Sequence, residues 1–369
     1  MARPHPLLIE VAAGRTINGA AIDHTVVDSS IEHRMGGLLL KVAREPDSPV
    51  DHGVRARLEA LDLGLAIQRQ RLMSTAAVVH RRLDGAGIEH FFFKGVVEAY
   101  RVFEDPQHRP FADIDLCLAP SESLSAATAA IAPDYPNVEH LDDLVSGGYI
   151  SGVSFFEDGQ PLDLHTDVVR VGPGARHPQM WWENTTTIDI PGLGTVRALN
   201  QEASFVVFVL HQARDRFRYL IGLSEYRRRL LSEMSFDAVR SLAVAEGVWD
   251  QVAVAIAAMS EDLGIPSPVE VPNSLRSRFW LRLWRADIRL GGPESRLRHT
   301  RRGRWMMPLL ARRRTKSSLR WIARSAFPPD VHLRRRHPDA RGPYLWRIVA
   351  ARVAQSMRRR SEAAANRRG

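Results

Sequence analysis

The sequence predicts an α+β protein, with a mixed sheet over about residues 86–198 and helical regions before and after it. Short β-type runs gather between Ile88 and Ala198, several of them closed by Gly or Pro turns. Stretches with the 3.6-residue spacing of an amphipathic helix lie on either side of them. Clusters such as Asp84-Gly85-Ala86-Gly87 and Pro266-Ser267-Pro268 punctuate the changes of period. At 369 residues the chain is long enough for one large or two medium domains with real cores.

Residues 1–30 are weakly patterned and read as an arm with room for one strand pair. Met35, Leu38, Leu39, Leu40 and Val42 predict a helix from Ser30 to about Glu45, stopped by Pro46. Leu58, Leu61, Leu65, Leu72 and Val78 predict a long helix, or two, from Val54 to about Leu83. Ile88–Phe93 is a strand and Gly95–Phe103 a helix. Ala112–Leu118 is a second strand, followed by a helix from Ser121 to about Ile131, whose cap is the Ser121 hydroxyl. Gly148–Phe156 and Pro161–Val169 form a hairpin across Asp158-Gly159, and Thr185–Ile190 pairs with Thr195–Ala198 across Pro191-Gly192-Leu193-Gly194. Helices are expected at 200–217, 220–232, 236–246 and 248–263. The resulting divisions are an N-terminal arm and helical region at 1–85, a core at 86–199, a helical bundle at 200–268 and an extension at 269–369.

Composition narrows the function classes. A hydrophobic content of 44% with 25% charged residues suits a globular core and excludes a disordered chain. One cysteine, Cys117, excludes an internal disulfide framework and a cysteine-rich zinc site. Its apolar neighbours suit a buried structural thiol better than a nucleophile. No apolar run reaches the roughly 18–20 residues of a membrane span, and the N-terminus lacks a secretory apolar core, so a cytoplasmic protein is expected. The net charge of +9 is unevenly spread, because residues 270–369 hold 27 Lys+Arg against 6 Asp+Glu. That basic extension also carries Trp280, Trp284, Trp305, Trp321 and Trp346. It suits pairing with the acidic body of the chain, nucleic acid through phosphate contacts and stacking, or an anionic membrane surface.

The candidate chemistry lies in Phe91–Ala119. Asp113 and Asp115 are two apart on a strand and therefore share a face. Adjacent carboxylates repel and raise each other's pKa unless a cation lies between them, and such hard oxygen ligands suit Mg²⁺. Asp163-Leu164-His165 repeats the spacing on a later strand. A third carboxylate from a neighbouring strand completes the set that a two-metal transfer site uses. His165 would then contact phosphate or orient a carboxylate. Lys94-Gly95, where a strand gives way to a helix, offers a cation and a side-chain-free backbone to phosphate oxygens. Arg109 lies close enough in sequence to reach the same phosphates. Taken singly, each of these has a bland alternative: a solvated acidic pair, a plain turn, a loop arginine.

Together, Phe93-Lys94-Gly95 and Arg109-Pro110-Phe111-Ala112-Asp113-Ile114-Asp115-Leu116, with Leu162-Asp163-Leu164-His165 after them, resemble the motifs of the uncharacterised nucleotidyltransferase family of the polymerase-β-like superfamily. The helical stretch that follows, Val196–Leu231 with His211 inside it, is similar to that family's next region. The resemblance covers roughly residues 30–265. It implies a minimal nucleotidyltransferase fold that binds Mg²⁺ (or Mn²⁺) and an NTP. Asp113, Asp115 and Asp163 would be the metal ligands and catalytic acids, and Lys94 and Gly95 would line the triphosphate. Two departures stand out: Lys-Gly where the wider superfamily usually has Gly-Ser, and Gly222-Leu223-Ser224-Glu225 where relatives often place a further aspartate. The expected activity is transfer of a nucleoside monophosphate to a hydroxyl or phosphate acceptor. The alternative is a catalytically degenerate nucleotide-binding scaffold that engages a partner through its basic tail.

Overall fold

The structure is a computed structural model that describes residues 4–15, 17, 21–45, 50–131, 152–157, 160–169, 177–215, 219–275, 277–279 and 281–282. The basic extension beyond residue 282, and the partners expected for it, lie outside them.

The N-terminal arm is helical. Helix α1 (Pro6–Ala12) starts at a proline, whose fixed φ and missing N–H suit a first turn. Helix α2 (His24–Glu32) is capped by Asp23, whose carboxylate accepts from the N–H groups of Thr25 and Val26. The helix expected from Ser30 is therefore two helices. The chain turns between them at Arg34, which has a left-handed φ of 58°, and α3 follows as Gly36–Ala43. Helix α4 (His52–Gly85) is one 34-residue helix. Its second half is the well-buried part, with Leu72, Ala76, Val79 and Leu83 in the core, whereas Leu63 and Ile67 are exposed.

The core strands are β1 (His90–Phe93), β2 (Ile114–Leu118), β3 (Gly152–Glu157), β4 (Gln160–His165), β5 (Thr185–Ile190) and β6 (Gly194–Leu199). Among the described residues they form one sheet in the order β3-β4-β2-β1-β6-β5. Pairs β2–β4 and β1–β6 are parallel and the other pairs antiparallel, so the sheet is mixed, as expected. Strand β1 runs through Lys94 into α5 (Gly95–Arg101), and α6 (Leu124–Ile131) follows β2. The cap expected at Ser121 falls on Ser123, whose hydroxyl accepts from Ala126 N–H.

Alternation along the strands gives the sheet two different faces. Phe92, Ile114, Leu116, Leu118, Leu162 and Leu164 pack with the second half of α4, α5 and α6 in one apolar cluster. Phe91, Phe93 and Cys117 point the other way, into a second cluster. That second cluster joins α1–α3 to the later helices: α8 (Gln201–Asp215), α9 (Leu220–Leu230), α10 (Phe236–Glu246) and α11 (Trp249–Leu263). A short helix, α7 (Pro178–Glu183), buries Trp181 against them, with its indole N–H donating to Glu246. Trp181 is therefore a core residue. Trp182 packs with Phe91 and lies under the guanidinium of Arg197. Among the described residues no helix is long and apolar enough to cross a membrane.

Candidate functional site

The polar side chains singled out in the sequence gather on the second face. Strands β2 and β4 are parallel neighbours in a register that sets Asp115 beside Asp163 and Cys117 beside His165. Strand β1 is antiparallel to β2, with Phe93 opposite Asp115, so Lys94 at its end falls next to the same carboxylate. One oxygen of Asp115, Oδ1, accepts from the Lys94 ammonium and from His165 Nε2 at 2.8 Å. The other oxygen, Oδ2, is buried without a hydrogen-bond partner among the described residues. Asp163 Oδ2 lies 4.0 Å from His165 Nε2. One donor atom each from Asp115, Asp163 and His165 falls within a 4.8 Å cluster, close enough for one metal ion.

Burial shapes these groups unequally. His165 is fully buried (0% exposed), with its ring edge-on to Phe93 and its Nε2 turned to the Asp115 carboxylate rather than to an open phosphate pocket. Burial alone would push the Asp115 carboxyl up. The Lys94 charge and the His165 hydrogen bond outweigh it and hold Asp115 well below the usual carboxylate range. Asp113 sits just before β2 and is half-buried. Burial first, and then the neighbouring Asp115 charge, push it up to about 6, with Lys94 and Arg34 pulling the other way. Asp113 is thus within electrostatic reach of Asp115, Lys94, Asp163 and Arg34.

The sequence expectation assigned Lys94 to the triphosphate rather than to the three aspartates. In the structure its ammonium joins them, because the backbone at Lys94 takes φ 59° and ψ −128° as β1 hands over to α5. That is a conformation glycine favours and other residues adopt at a cost of about 1–3 kcal/mol. Gly95 has a packing reason of its own: a Cβ there would sit 2.5 Å from Cβ of Phe111, in the loop that leads into β2. Arg109 in that loop donates from Nε to Glu225 on α9 at 2.7 Å. The position where an aspartate was expected thus supplies the partner of Arg109.

Arg34 escaped the sequence reading. It lies far from the motifs, and its left-handed φ and placement on the Tyr219 ring, 4.3 Å from the centroid, are tertiary features. The one local clue was the Gly36-Gly37 pair marking a break in the helix. Glu98 on α5 and Arg229 on α9 were also missed. They form a buried ion pair at 2.6 Å, joined by Glu225, Arg101 and the Ser204 hydroxyl. A divalent cation fits the acidic residues present: a buried carboxylate oxygen has no partner among the described residues, a second carboxylate is in register beside it, and a third is crowded enough to take up a proton.

The pattern of the family described as "Uncharacterised nucleotidyltransferase" matches residues 23–261. No curated protein matches the chain. Among solved structures, an antigenic nucleotidyltransferase-like protein from Paracoccidioides brasiliensis is 17% identical over 52% of this chain and 87% of its own, with a TM-score of 0.31. That likeness is too low to carry an argument. The family match spans most of the chain, and the chain belongs to the uncharacterised nucleotidyltransferase family.

Proposed function

We propose that this nucleotidyltransferase family member moves a nucleoside monophosphate from an NTP to a hydroxyl or phosphate acceptor and releases pyrophosphate. The observation that carries the reading is Asp115, with one oxygen held by Lys94 and His165 and the other buried beside Asp163 with no partner among the described residues. Asp113, Asp115 and Asp163 would hold Mg²⁺ or Mn²⁺. A divalent ion there would neutralise phosphate charge and lower the pKa of the attacking group.

The chain's own residues have separable tasks. His165 donates its Nε2 proton to Asp115 and fixes the direction in which Oδ2 points. Lys94 offsets the charge of the acids in the free protein and offers a donor to the triphosphate, with Gly95 beside it. Arg34, within electrostatic reach of Asp113, and Arg109, the loop arginine held by Glu225, would supply guanidinium donors to phosphate oxygens. Asp163, half-buried at the edge of the cluster, takes the proton from an acceptor hydroxyl as its oxygen bonds to the α-phosphorus. The bond from that phosphorus to the pyrophosphate oxygen breaks on the far side, and pyrophosphate leaves.

One observation favours the alternative of a degenerate nucleotide-binding scaffold: an ammonium group already lies among the acids. The test is pyrophosphate release from labelled NTPs by the full chain with Mg²⁺ and Mn²⁺, alongside Asp115→Asn. Loss of a transition-state contact of this kind costs about 10²–10³-fold in rate, and that fall is the expected result. Metal-dependent NTP binding without turnover would support the scaffold. Turnover unchanged by Asp115→Asn would remove the assignment of the site.

A further inference from the structure

We infer that His80, Asp84 and His90 form a second metal site, for a divalent ion of the zinc class, on the opposite face of the sheet from the acidic cluster. The opposite placement follows from strand alternation. His90 shares its face with Phe92, which packs under α4, whereas Phe93 lies with His165 on the other side. His80 and Asp84 are one turn apart on α4, and the chain reverses through Gly87 to bring His90 beneath them. Each of the three offers a donor atom within 4.8 Å of the others.

The nitrogens are prepared for a metal. His90 Nδ1 lies 2.8 Å from the Ile88 carbonyl, which accepts its proton and leaves the Nε2 lone pair facing His80. A backbone carbonyl behind a ligating imidazole is the usual way a protein fixes that tautomer. His80 Nδ1 is 2.9 Å from His90 Nε2. Zinc–nitrogen bonds of about 2.0–2.1 Å at a tetrahedral angle set ligand nitrogens roughly 3.4 Å apart, so the two rings need part by only about half an ångström. Asp84 Oδ2, 3.5 Å from the other His80 nitrogen, belongs to a carboxylate 62% exposed and free to swing. Two imidazoles and one carboxylate are a donor set for zinc rather than for Mg²⁺, which prefers oxygen alone. The ion would tie the end of α4 to the start of β1, the strand that delivers Lys94.

The test is titration of the metal-free full chain with Zn²⁺ against a chromophoric chelator, repeated with Co²⁺ for its visible absorption. An Asp115→Asn/Asp163→Asn double variant separates this site from the acidic cluster. The expected result is one zinc site that survives in the double variant and weakens at least about tenfold in His80→Ala and in Asp84→Asn. Circular dichroism of the metal-free variants checks their folding, and Asp84→Asn, altered at an exposed group, carries the test if His80→Ala unfolds. The proposal is overturned if the double variant binds no zinc, or if its zinc affinity is unchanged by the change at position 80 or 84. In either case the histidine pair is only a hydrogen bond between neighbours.

Discussion

Asp115 and Lys94 are each held in a state they would not adopt alone. Asp115 is a carboxylate at 1% exposure that keeps its charge because an ammonium and an imidazole N–H converge on one oxygen. Lys94 reaches it by accepting a left-handed backbone at the head of α5. Replacing Lys94 removes the partner of a buried charge whatever the new residue is, so Lys94→Ala and Lys94→Gly should both lose stability and the proposed NTP-dependent activity. The two variants differ in backbone cost alone. Glycine takes φ 59° without a Cβ clash, so Lys94→Gly should be the more stable by about 1 kcal/mol in urea unfolding, against glycine's usual entropic penalty. Equal stabilities would mean that the backbone there is relaxed. At this scale the sequence was informative: Asp113, Asp115 and Asp163 were visible from spacing, because a period of two fixes which side chains share a face, and Lys94 from the strand-to-helix break beside Gly95. The partition of Asp115's two oxygens was not visible, since it depends on a turn conformation that no local pattern specifies.

The elements that carry the site are joined at a close approach. Helix α5 begins against the loop before β2, where the Cα of Gly95 faces the side chain of Phe111 with no room for a methyl group. Phe111 is itself buried and anchored in the cluster under α4, so it has little freedom to retreat. Gly95→Ala should therefore destabilise the chain by about 1–3 kcal/mol, the ordinary range for overpacking, although alanine is the better helix former. A thermal melt in which Gly95→Ala equals or exceeds the parent would refute the close packing. The sequence offered a different reason for this glycine, the approach of a phosphate; the structure supplies a packing reason that stands whether or not a phosphate comes. Helix and strand limits in the core were legible to within a few residues. The N-terminal arm was not, because α1 packs against α9, some two hundred positions later, and a short segment carries no trace of that partner.

Across the whole molecule, the sheet and the later helices are linked by buried charge. Glu98 on α5 meets Arg229 and, through it, Glu225 on α9, which in turn holds Arg109 in the loop before the aspartate strand. Burial opposes the Glu98 charge, but Arg101, Arg229 and Ser204 outweigh it and lower its pKa from 4.5 to about 2. A folded-state pKa below the unfolded value gives stability that is fully present above about pH 4.5 and lost as pH falls toward 2. The shift corresponds to about 3 kcal/mol. Urea unfolding of the parent should lose stability through that window. Glu98→Gln should be less stable at pH 7, because Arg229 is left short of a counter-charge in the interior, and should lose correspondingly less on acidification. Parallel curves for the two proteins would show that the pair contributes nothing.

The sequence by itself determined the α+β class, the existence of the core strands, the run from Lys94 to Asp115, the later Asp163-Leu164-His165 and the family these resemble. Those follow from local periodicity, turn chemistry and residue type. Tertiary structure decided what those residues touch. Parallel pairing of β2 with β4 set Asp163 beside Asp115. The left-handed turn at Lys94 put its ammonium among the acids. The turn between α2 and α3 brought Arg34 to the same place, and α9 claimed Arg109 through Glu225. Each of these is a contact between segments distant in the chain. Its energy comes from burial and from charge brought together only when the two cores close, and no local stretch of sequence encodes it.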